Sequence, residues 1–310
     1  MRVILAFAFV LVAPVVMAQQ IGQYTHFPFN YFHINPAVAG TTKCPDIRLG
    51  YRHQWLGFEN DPRTAFASVH GSIGGKNKMN KSKHGIGAFV EADQTGPLSR
   101  TALYFAYAYH FQFNRKWMMS FGAFVGFQQY RFNVNDAFVP DPGDPVLASS
   151  MASFVAPDIT PGVYFYDENW TFGISMQHAV GNRINNLGEE STLRRHFALM
   201  ASRKFGDSDK FTYTPAMLFR VAAGSVPALD LNMMVEYKEV IGLGVAYRNG
   251  DAVAALMRVN FLRYFALAYA FDLTTSRIRV ASANTHEVTL GISICTKDRV
   301  QGRIPCAAYR

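Results

Sequence analysis

The sequence lacks a long apolar run outside its N-terminus, and this absence limits how the chain can cross a membrane. A membrane-spanning helix needs about 18 or more consecutive apolar residues, and no such stretch follows residue 18. The sequence therefore excludes a helical membrane protein. Charged residues are also scarce, at 17% of the 310 residues, whereas 14% are aromatic, with 26 Phe and 15 Tyr against 3 Trp.

No arrangement of residues that is typical of catalysis is found either. The histidines are scattered without the spacing of metal ligands, and no Ser/His/Asp set can be assembled. The Asp-Pro-Gly-Asp-Pro stretch at 141–145 predicts turns in an exposed loop. Basic residues are dispersed rather than clustered as in a nucleic-acid site. We therefore expect no enzyme, no cofactor, no metal and no nucleic-acid partner.

The first 18 residues have the pattern of a secretory signal peptide. Arg2 precedes an apolar run from Val3 to Val16, and Ala18 precedes the expected cleavage point. Cleavage leaves Gln19 first, and because no cysteine stands at the junction, lipidation of the new N-terminus is not expected. The chain is basic, with a formal net charge of +8. An exported, basic chain without membrane helices points to a bacterial outer membrane if it is rich in strands.

A hairpin from Thr101 to Arg131 carries the clearest strand pattern. Apolar and polar residues alternate through both arms with a period of two. Strands of about ten residues with one apolar face and one small or polar face suit a tilted transmembrane β-strand. A large soluble β-sandwich is the alternative, and the signal peptide and the strand count argue against it.

The same alternation assigns side chains to the two faces of the barrel wall. The residues expected to face lipid are Phe105, Tyr107 and Phe121, and those expected to face the lumen are Ala106, Gln112 and Ser120. Because a charge facing lipid is costly, Phe121→Arg is expected to impair assembly more than Ser120→Arg.

Counting strands along the chain gives about fourteen. Their predicted bounds are 46–55, 63–73, 84–95, 99–113, 115–131, 158–167, 169–178, 193–205, 210–222, 227–238, 239–248, 251–260, 262–272 and 286–296. An even number is what bacterial barrels have. We therefore predict an all-β transmembrane outer-membrane β-barrel of about 14 antiparallel strands over 46–296. A non-strand, proline-interrupted lead-in at 19–45 precedes it, either periplasmic or packed in the lumen, and a basic tail at 297–310 follows.

Connection lengths predict which strand ends share a side of the membrane. Bacterial barrels place short turns in the periplasm and longer loops outside. The long connections 132–157, 179–192 and 273–285 all follow odd-numbered strands, whereas most even-numbered strands are followed by tight turns. We therefore expect the three long connections to be extracellular and both chain termini to be periplasmic.

Motifs near both ends of the chain resemble those of a known family. They are Ile34-Asn35-Pro36-Ala37-Val38-Ala39-Gly40, Tyr51-Arg52-His53-Gln54-Trp55-Leu56-Gly57-Phe58, Pro62-Arg63-Thr64, Ser68-Val69-His70 and Asn284-Thr285-His286-Glu287-Val288-Thr289-Leu290-Gly291. In this order they closely resemble the PorP/SprF family, outer-membrane components of the type IX secretion system of Bacteroidetes. The motif residues singled out are Trp55, His70, His286 and Glu287.

The resemblance implies a non-enzymatic secretion component with a closed or plugged lumen. Its periplasmic face would bind the lipoprotein ring of the secretion machinery. Its outer face would hold, or help to export, a secreted protein such as an adhesin. The alternative is an outer-membrane pore or transporter for small or hydrophobic solutes, because a fourteen-strand barrel encloses a lumen that is either filled or open.

Two arginines predict charge inside the barrel. Arg48 and Arg52 lie on the polar face of the first strand, and an unpaired buried guanidinium is costly. Carboxylates on the polar faces of later strands are the expected partners, namely Glu91, Asp93, Asp230 and Glu236. Such a lumen cluster either makes the barrel rigid or serves translocation.

Basic charge accumulates at the predicted periplasmic rim. The connection 74–83 contains four lysines and no acid, and the tail adds further basic residues. The candidate partner-binding residues are Asn35, Pro36, Lys76, Lys78, Lys81, Lys83, Lys297 and Arg299. This charge indicates either a solvated rim near anionic headgroups or a docking surface for an acidic periplasmic partner.

The three cysteines are predicted to lie near one rim. Closing the barrel places the first strand beside the last, so Cys44 and Cys295 meet at the periplasmic side, with Cys306 only eleven residues further on. The periplasm permits disulfides. A bridge from Cys44 to Cys295 or Cys306 is expected, and three free thiols are the alternative.

Overall fold

The computed structural model describes residues 22–42, 44–58, 60–73, 82–133, 151–182, 192–262, 264–280, 282 and 284–294. The predicted signal peptide and basic tail lie outside these residues. Within them, no helix is long and apolar enough to cross a membrane. Nearly all of the regular structure is β-strand.

The strands form a closed antiparallel barrel, which confirms the predicted fold. Their bounds are β1 Asp46–His53, β2 Arg63–Ile73, β3 Lys83–Thr95, β4 Leu98–Gln112, β5 Met118–Asn133, β6 Met151–Tyr166, β7 Trp170–Gln177, β8 His196–Arg203, β9 Phe205–Gly206, β10 Phe211–Ala222, β11 Ala228–Tyr237, β12 Ile241–Arg248, β13 Ala252–Phe261, β14 Phe265–Thr274 and β15 Asn284–Ser293. Fourteen strands make the wall, and β9 is a two-residue addition beside β10. Pairing of β1 with β15 closes the ring.

One strand begins earlier than the sequence predicts. β6 starts at Met151 rather than at 158, and Pro157 lies within it. The predicted start was therefore wrong. β6 pairs with β7 only from Gly162 to Tyr166, so its first half is an edge, where proline is tolerated.

The two faces of the wall follow the predicted alternation. Phe105, Tyr107 and Phe121 are 62%, 53% and 48% exposed. Ala106 and Ser120 are buried. The expectation for Ser120→Arg has to be corrected, because this side chain is fully buried against the lead-in and leaves no space for a guanidinium.

The connections between strands divide the barrel into two ends. The turn end holds the connections 113–117, 167–169, 238–240 and 262–264, and the opposite end is called the loop end. The long connections that leave β5, β7 and β14 are all at the loop end, as the strand count predicted. The turn end is expected to face the periplasm.

The lead-in folds into short helical turns inside the lumen. These are a 3-10 turn Phe27–Phe29, α1 Tyr31–Ile34 and a second 3-10 turn Pro36–Val38. Lead-in and wall share the largest core cluster, which includes Tyr24, Phe27, Phe32, Ile34, Phe66, Phe89, Tyr104 and Phe124. The prolines that exclude a strand therefore suit a filling of the lumen.

The lead-in extends through most of the height of the lumen. Gly22 lies against the Glu91 carboxylate, near the loop end of β3. Cys44 lies just before β1, at the turn end. The described lead-in therefore begins in the loop half of the lumen. The expected periplasmic N-terminus would instead place the beginning of the lead-in at the turn end.

The depth of a lipid-facing residue sets the cost of placing a charge there. Phe105 is at the middle of β4, whereas Phe121 is three residues from the turn-end limit of β5. We predict that Phe105→Arg lowers the stability of the barrel by about 2–4 kcal/mol, as for Arg at a bilayer midplane, and that Phe121→Arg costs less. The heat-modifiable band in gels and unfolding in urea measure this. Equal losses at both positions would contradict the assigned depth.

Cys44 is disulfide-bonded, and its partner lies outside the described residues, as do both other cysteines. Asp46 pairs with Ser293, and the Ile294 backbone N–H donates to the Pro45 carbonyl at 3.1 Å. If this register continues, Cys295 is opposite Cys44. We predict a Cys44–Cys295 bridge with Cys306 as a free thiol, to be read by mass spectrometry of non-reduced peptides. A peptide joining Cys44 to Cys306 would reject this pairing.

Candidate functional site

The candidate site is the interface between the lead-in and the barrel wall, because the motif Asn35–Gly40 lies there. Four lead-in carbonyls accept hydrogen bonds from side chains of four different strands. The pairs are Ile34 with Ser175 Oγ at 2.7 Å, Ala37 with Ser120 Oγ at 2.7 Å, Ala39 with His110 Nε2 at 2.6 Å, and Thr41 with Lys83 Nζ at 3.0 Å. Buried carbonyls without partners are costly, so these side chains make the docked lead-in stable.

Asn35 joins the lead-in to two neighbouring strands. Its Nδ2 donates to the Val163 carbonyl at 2.9 Å and to the Ile174 carbonyl at 3.2 Å. Its Oδ1 accepts from the Ala37 N–H at 3.0 Å, which caps the second 3-10 turn. Asn35 is completely buried and Pro36 is also buried. Both were predicted to bind a partner, but neither is accessible while the lead-in is docked.

Glycines in the wall make room for the motif. A Cβ on Gly85 would overlap the Ala39 carbonyl, and one on Gly162 would overlap the Asn35 side chain. At Gly122 it would lie 2.6 Å from the Ala37 nitrogen. The backbone of the lead-in therefore lies directly on the strands, which only glycine at these positions permits.

A buried charge network fixes the first part of the lead-in in the loop half. Thr25 Oγ1 donates to Asp272 Oδ2 at 2.6 Å and accepts from Arg52 Nη1 at 2.8 Å. The Thr25 N–H donates to Glu287 Oε2 at 2.7 Å, and the His26 N–H to Glu287 Oε1 at 3.1 Å. Charge-assisted hydrogen bonds of this kind are the stronger ones.

The lumen arginines have partners other than those that the sequence suggested. Arg48 pairs with Asp46 on its own strand at 2.6 Å. Arg52 pairs with Asp272 and Glu287, each at 2.9 Å. The suggested carboxylates are bound by other groups: Glu91 by Arg100, Asp93 by Thr64, Asp230 by Arg220 and Arg248, and Glu236 by Arg258.

Glu91 and Asp93 belong to a separate part of the lumen. Glu91 is bound by Arg100, by His33 at 3.1 Å and by the Tyr24 hydroxyl at 2.6 Å. Asp93 accepts from Thr64 Oγ1 at 2.5 Å. Arg48, Arg52, Glu91 and Asp93 all lie on the lumen side, but they do not form one cluster.

A cavity of about 350 Å³ lies between the lead-in and the wall at the turn end. Its lining is aromatic towards the lead-in, with Tyr31, Tyr164 and Tyr166, and charged near the turns, with Lys116 and Asp167. Burial opposes ionisation of Asp167, but the backbone N–H groups of 169 and 170 and the Lys116 ammonium together lower its pKa below the usual value. The recess therefore combines an apolar interior with paired charges near the adjoining turn.

The remaining predicted residues fall into three places. Lys76, Lys78, Lys81, Lys297 and Arg299 lie outside the described residues. Glu287 and His70 face the lumen, where His70 Nδ1 accepts from the Gly40 N–H at 3.4 Å.

Trp55 and His286 lie near the loop end instead. Trp55 is in the β1–β2 connection and His286 points outward from β15. Lys83, predicted to bind a partner, donates instead to the Thr41 carbonyl.

Among the described residues no group of His, Cys, Asp or Glu could hold a metal ion.

Sequence reasoning missed several residues that hold the lead-in. Ser120, Ser175 and His110 were visible only as small or polar residues on the lumen face, which is the signal that could have found them. Thr25 gave no local signal, because the carboxylates that it donates to, Glu287 and Asp272, are on strands more than 200 positions away.

Removing the Asn35 amide tests whether this side chain holds the lead-in in the lumen. We predict that Asn35→Ala lowers the free energy of unfolding by about 1–3 kcal/mol, because the Val163 and Ile174 carbonyls lose a buried donor. The lead-in should also become more sensitive to added protease in the solubilised barrel. Asn249→Ala, in an exposed turn at the loop end, is the control. If the protease sensitivity of the lead-in is unchanged in Asn35→Ala, the position of the lead-in in the lumen does not depend on this amide.

The barrel resembles solved outer-membrane proteins. CymD, described as a monoaromatic hydrocarbon channel, matches with a TM-score of 0.51 and 11% identity, covering 89% of this chain and 94% of that one. The toluene transporter TbuX of Ralstonia pickettii matches at 0.49 and 10%, covering 87% and 92%, and a FadL homologue of Pseudomonas aeruginosa at 0.47 and 10%, covering 88% and 94%. At such identities the likeness concerns the fold alone.

The sequence itself matches a family over most of its length. No curated protein matches the chain. Residues 16–292 match the family described as type IX secretion system membrane protein PorP/SprF. This range contains the lead-in, the motifs on both sides of the seam and nearly all of the wall. The chain therefore belongs to the PorP/SprF family of type IX secretion system membrane proteins, and its barrel is of the outer-membrane type.

Proposed function

We propose that this protein is a non-enzymatic, non-conducting component of the type IX secretion machinery. Its turn end docks periplasmic machinery, in particular a lipoprotein ring, and its loop end assists the export or surface attachment of a secreted protein such as an adhesin. The observation that carries the proposal is the lead-in, which occupies the lumen and is bonded to the wall in both halves. Family membership supports the assignment to the secretion machinery.

The contacts of the lead-in support a permanent plug rather than a gate. Releasing it would leave Asp272 and Glu287 without Thr25 and would expose the Ser120 and His110 contacts. Breaking one side of a buried charge network is strongly unfavourable. A barrel closed in this way acts through its rims, not through its lumen.

The turn end is the expected docking face, and its charge depends on two segments. The turns 113–117, 167–169, 204–210, 238–240 and 262–264 contain six basic and five acidic residues, so they contribute a net charge of only +1. The connection 74–83 and the tail 297–310 supply the positive excess. A positive rim of this kind would steer an acidic partner. The cavity beside the lead-in offers that partner a recess of about 350 Å³.

Replacing the lysines of the connection tests the docking face. We predict that Lys76→Gln, Lys78→Gln and Lys81→Gln together leave barrel abundance normal but lower co-purification of the periplasmic ring by about a hundredfold, since each charge near an anionic surface contributes about 1 kcal/mol. Lys83 is kept, because it holds Thr41. The matched control replaces Arg115, Lys210 and Lys238 by Gln, all exposed in turns at the same end.

The two triple variants separate local docking from general charge. Loss of co-purification in the first variant alone supports docking at 74–83. Equal loss in both would assign the effect to net charge, and no loss in either would remove this connection from the mechanism.

The alternative of a pore is tested by conductance. A plugged barrel in a planar bilayer is expected to give no steady current, because the lead-in fills the lumen. A steady open-channel current from the intact protein would favour the pore or transporter over the docking component.

A further inference from the structure

A row of side chains crosses the outside of the barrel near the loop end. The strand register places Phe271, His286, His53, Arg63 and Gln94 side by side on β14, β15, β1, β2 and β3. These side chains point away from the lumen, because the next residues along their strands, such as Arg52 and Glu287, are buried inside. The centre of the row is therefore three nitrogen-bearing side chains on adjacent strands.

The row directly below is apolar. Two residues further towards the middle of the wall, the same register aligns Tyr269, Val288, Tyr51, Ala65 and Ala92. Two strand residues correspond to about 7 Å. The basic side chains thus begin where the lipid-facing band ends, which is the level of lipid headgroups.

Among the residues that the structure describes, the acid in contact with the row is Asp61, and it is turned inward. Asp61 accepts from Arg63 Nε at 2.9 Å and contacts His53 Nε2 at 2.6 Å, and its side chain is only 7% exposed. The Arg63 side chain is 57% exposed. Tyr269 OH lies 2.8 Å from His286 Nδ1. The carboxylate therefore orients the basic groups, and their outer edges face the surroundings.

The connections above this row add two more arginines. The 3-10 turn Arg277–Val280 leaves Arg277 and Arg279 exposed. Ser282 Oγ donates to the Leu56 carbonyl at 2.9 Å, and the Leu56 N–H donates to the Asn284 carbonyl at 2.9 Å. These bonds join the described parts of the β14–β15 and β1–β2 connections over the seam.

We propose that His53, Arg63 and His286, with Arg277 and Arg279 above them, bind the phosphate of a phosphorylated outer-leaflet glycolipid. Its acyl chains lie along Tyr51, Tyr269 and Val288. A guanidinium matches the geometry of phosphate oxygens and holds them by charge-assisted bonds. Continuity with the lipid-facing band selects a lipid rather than a protein as the occupant. The site requires the loop end to lie at the outer leaflet, and it is independent of the docking role proposed for the turn end.

Lipid binding to the purified barrel tests the proposal. The variant replaces Arg63, Arg277 and Arg279 by Gln and keeps His53 as the partner of Asp61. The control replaces three exposed basic residues elsewhere on the two rims, Arg115, Arg131 and Lys238, by Gln. Native mass spectrometry of delipidated protein is titrated with diphosphoryl lipid A, with the same lipid after dephosphorylation, and with inorganic phosphate. The heat-modifiable band confirms that each variant is folded.

The wild type and the control variant are expected to bind lipid A. The variant in which Arg63, Arg277 and Arg279 are replaced is expected to bind it at least tenfold more weakly. The wild type should bind the dephosphorylated lipid as weakly as the triple variant binds lipid A. Equal binding of the dephosphorylated lipid, or an equal loss in the control, would overturn the proposal. Saturation by inorganic phosphate alone, at concentrations that displace lipid A, would assign the site to a free anion and would also overturn it.

Discussion

The structure depends on hydrogen bonds from wall side chains to the backbone carbonyls of the lead-in. A non-strand segment inside a barrel has no ladder to satisfy its polar groups, and buried carbonyls without partners are costly. Ser175, Ser120, His110 and Lys83 supply the donors from β7, β5, β4 and β3. This is why the lumen faces of these strands carry small hydroxyl and basic residues between glycines. The lumen face of the wall therefore matches the lead-in, as its outer face matches the membrane.

Charge inside the barrel serves the same purpose. Arg52, Asp272 and Glu287 come from three adjacent strands and meet around Thr25. Each ion is expensive to bury alone, and the group is tolerable because every member has a partner. The seam strands β1 and β15 provide two of these residues. The network therefore links the first and last strands through the lead-in, and the disulfide at Cys44 adds a covalent constraint near the same seam.

Much of the fold could be predicted, because a strict period of two and apolar outer faces specify a barrel strand locally. The faces of Phe105 and Ala106 follow directly from it. The start of β6 could not be predicted, since tolerance of Pro157 depends on an unpaired edge and hence on how far β7 extends. The partners of Arg52 were also out of reach. Alternation shows which face a residue takes, but not which strand across the lumen supplies the carboxylate.

The course of the lead-in makes the wall and its filling depend on each other. Gly22 lies in the loop half of the lumen and Cys44 at the turn end, and side chains from seven or more strands contact the segment between them. The lumen is filled by this segment itself, so a closed ring without it would enclose unfilled space, and the buried carboxylates Asp272 and Glu287 would lack Thr25. The stability of the wall and the docking of the lead-in are therefore coupled. The N-terminal segment supplies the interior that its own strands enclose, and the two form one cooperative unit.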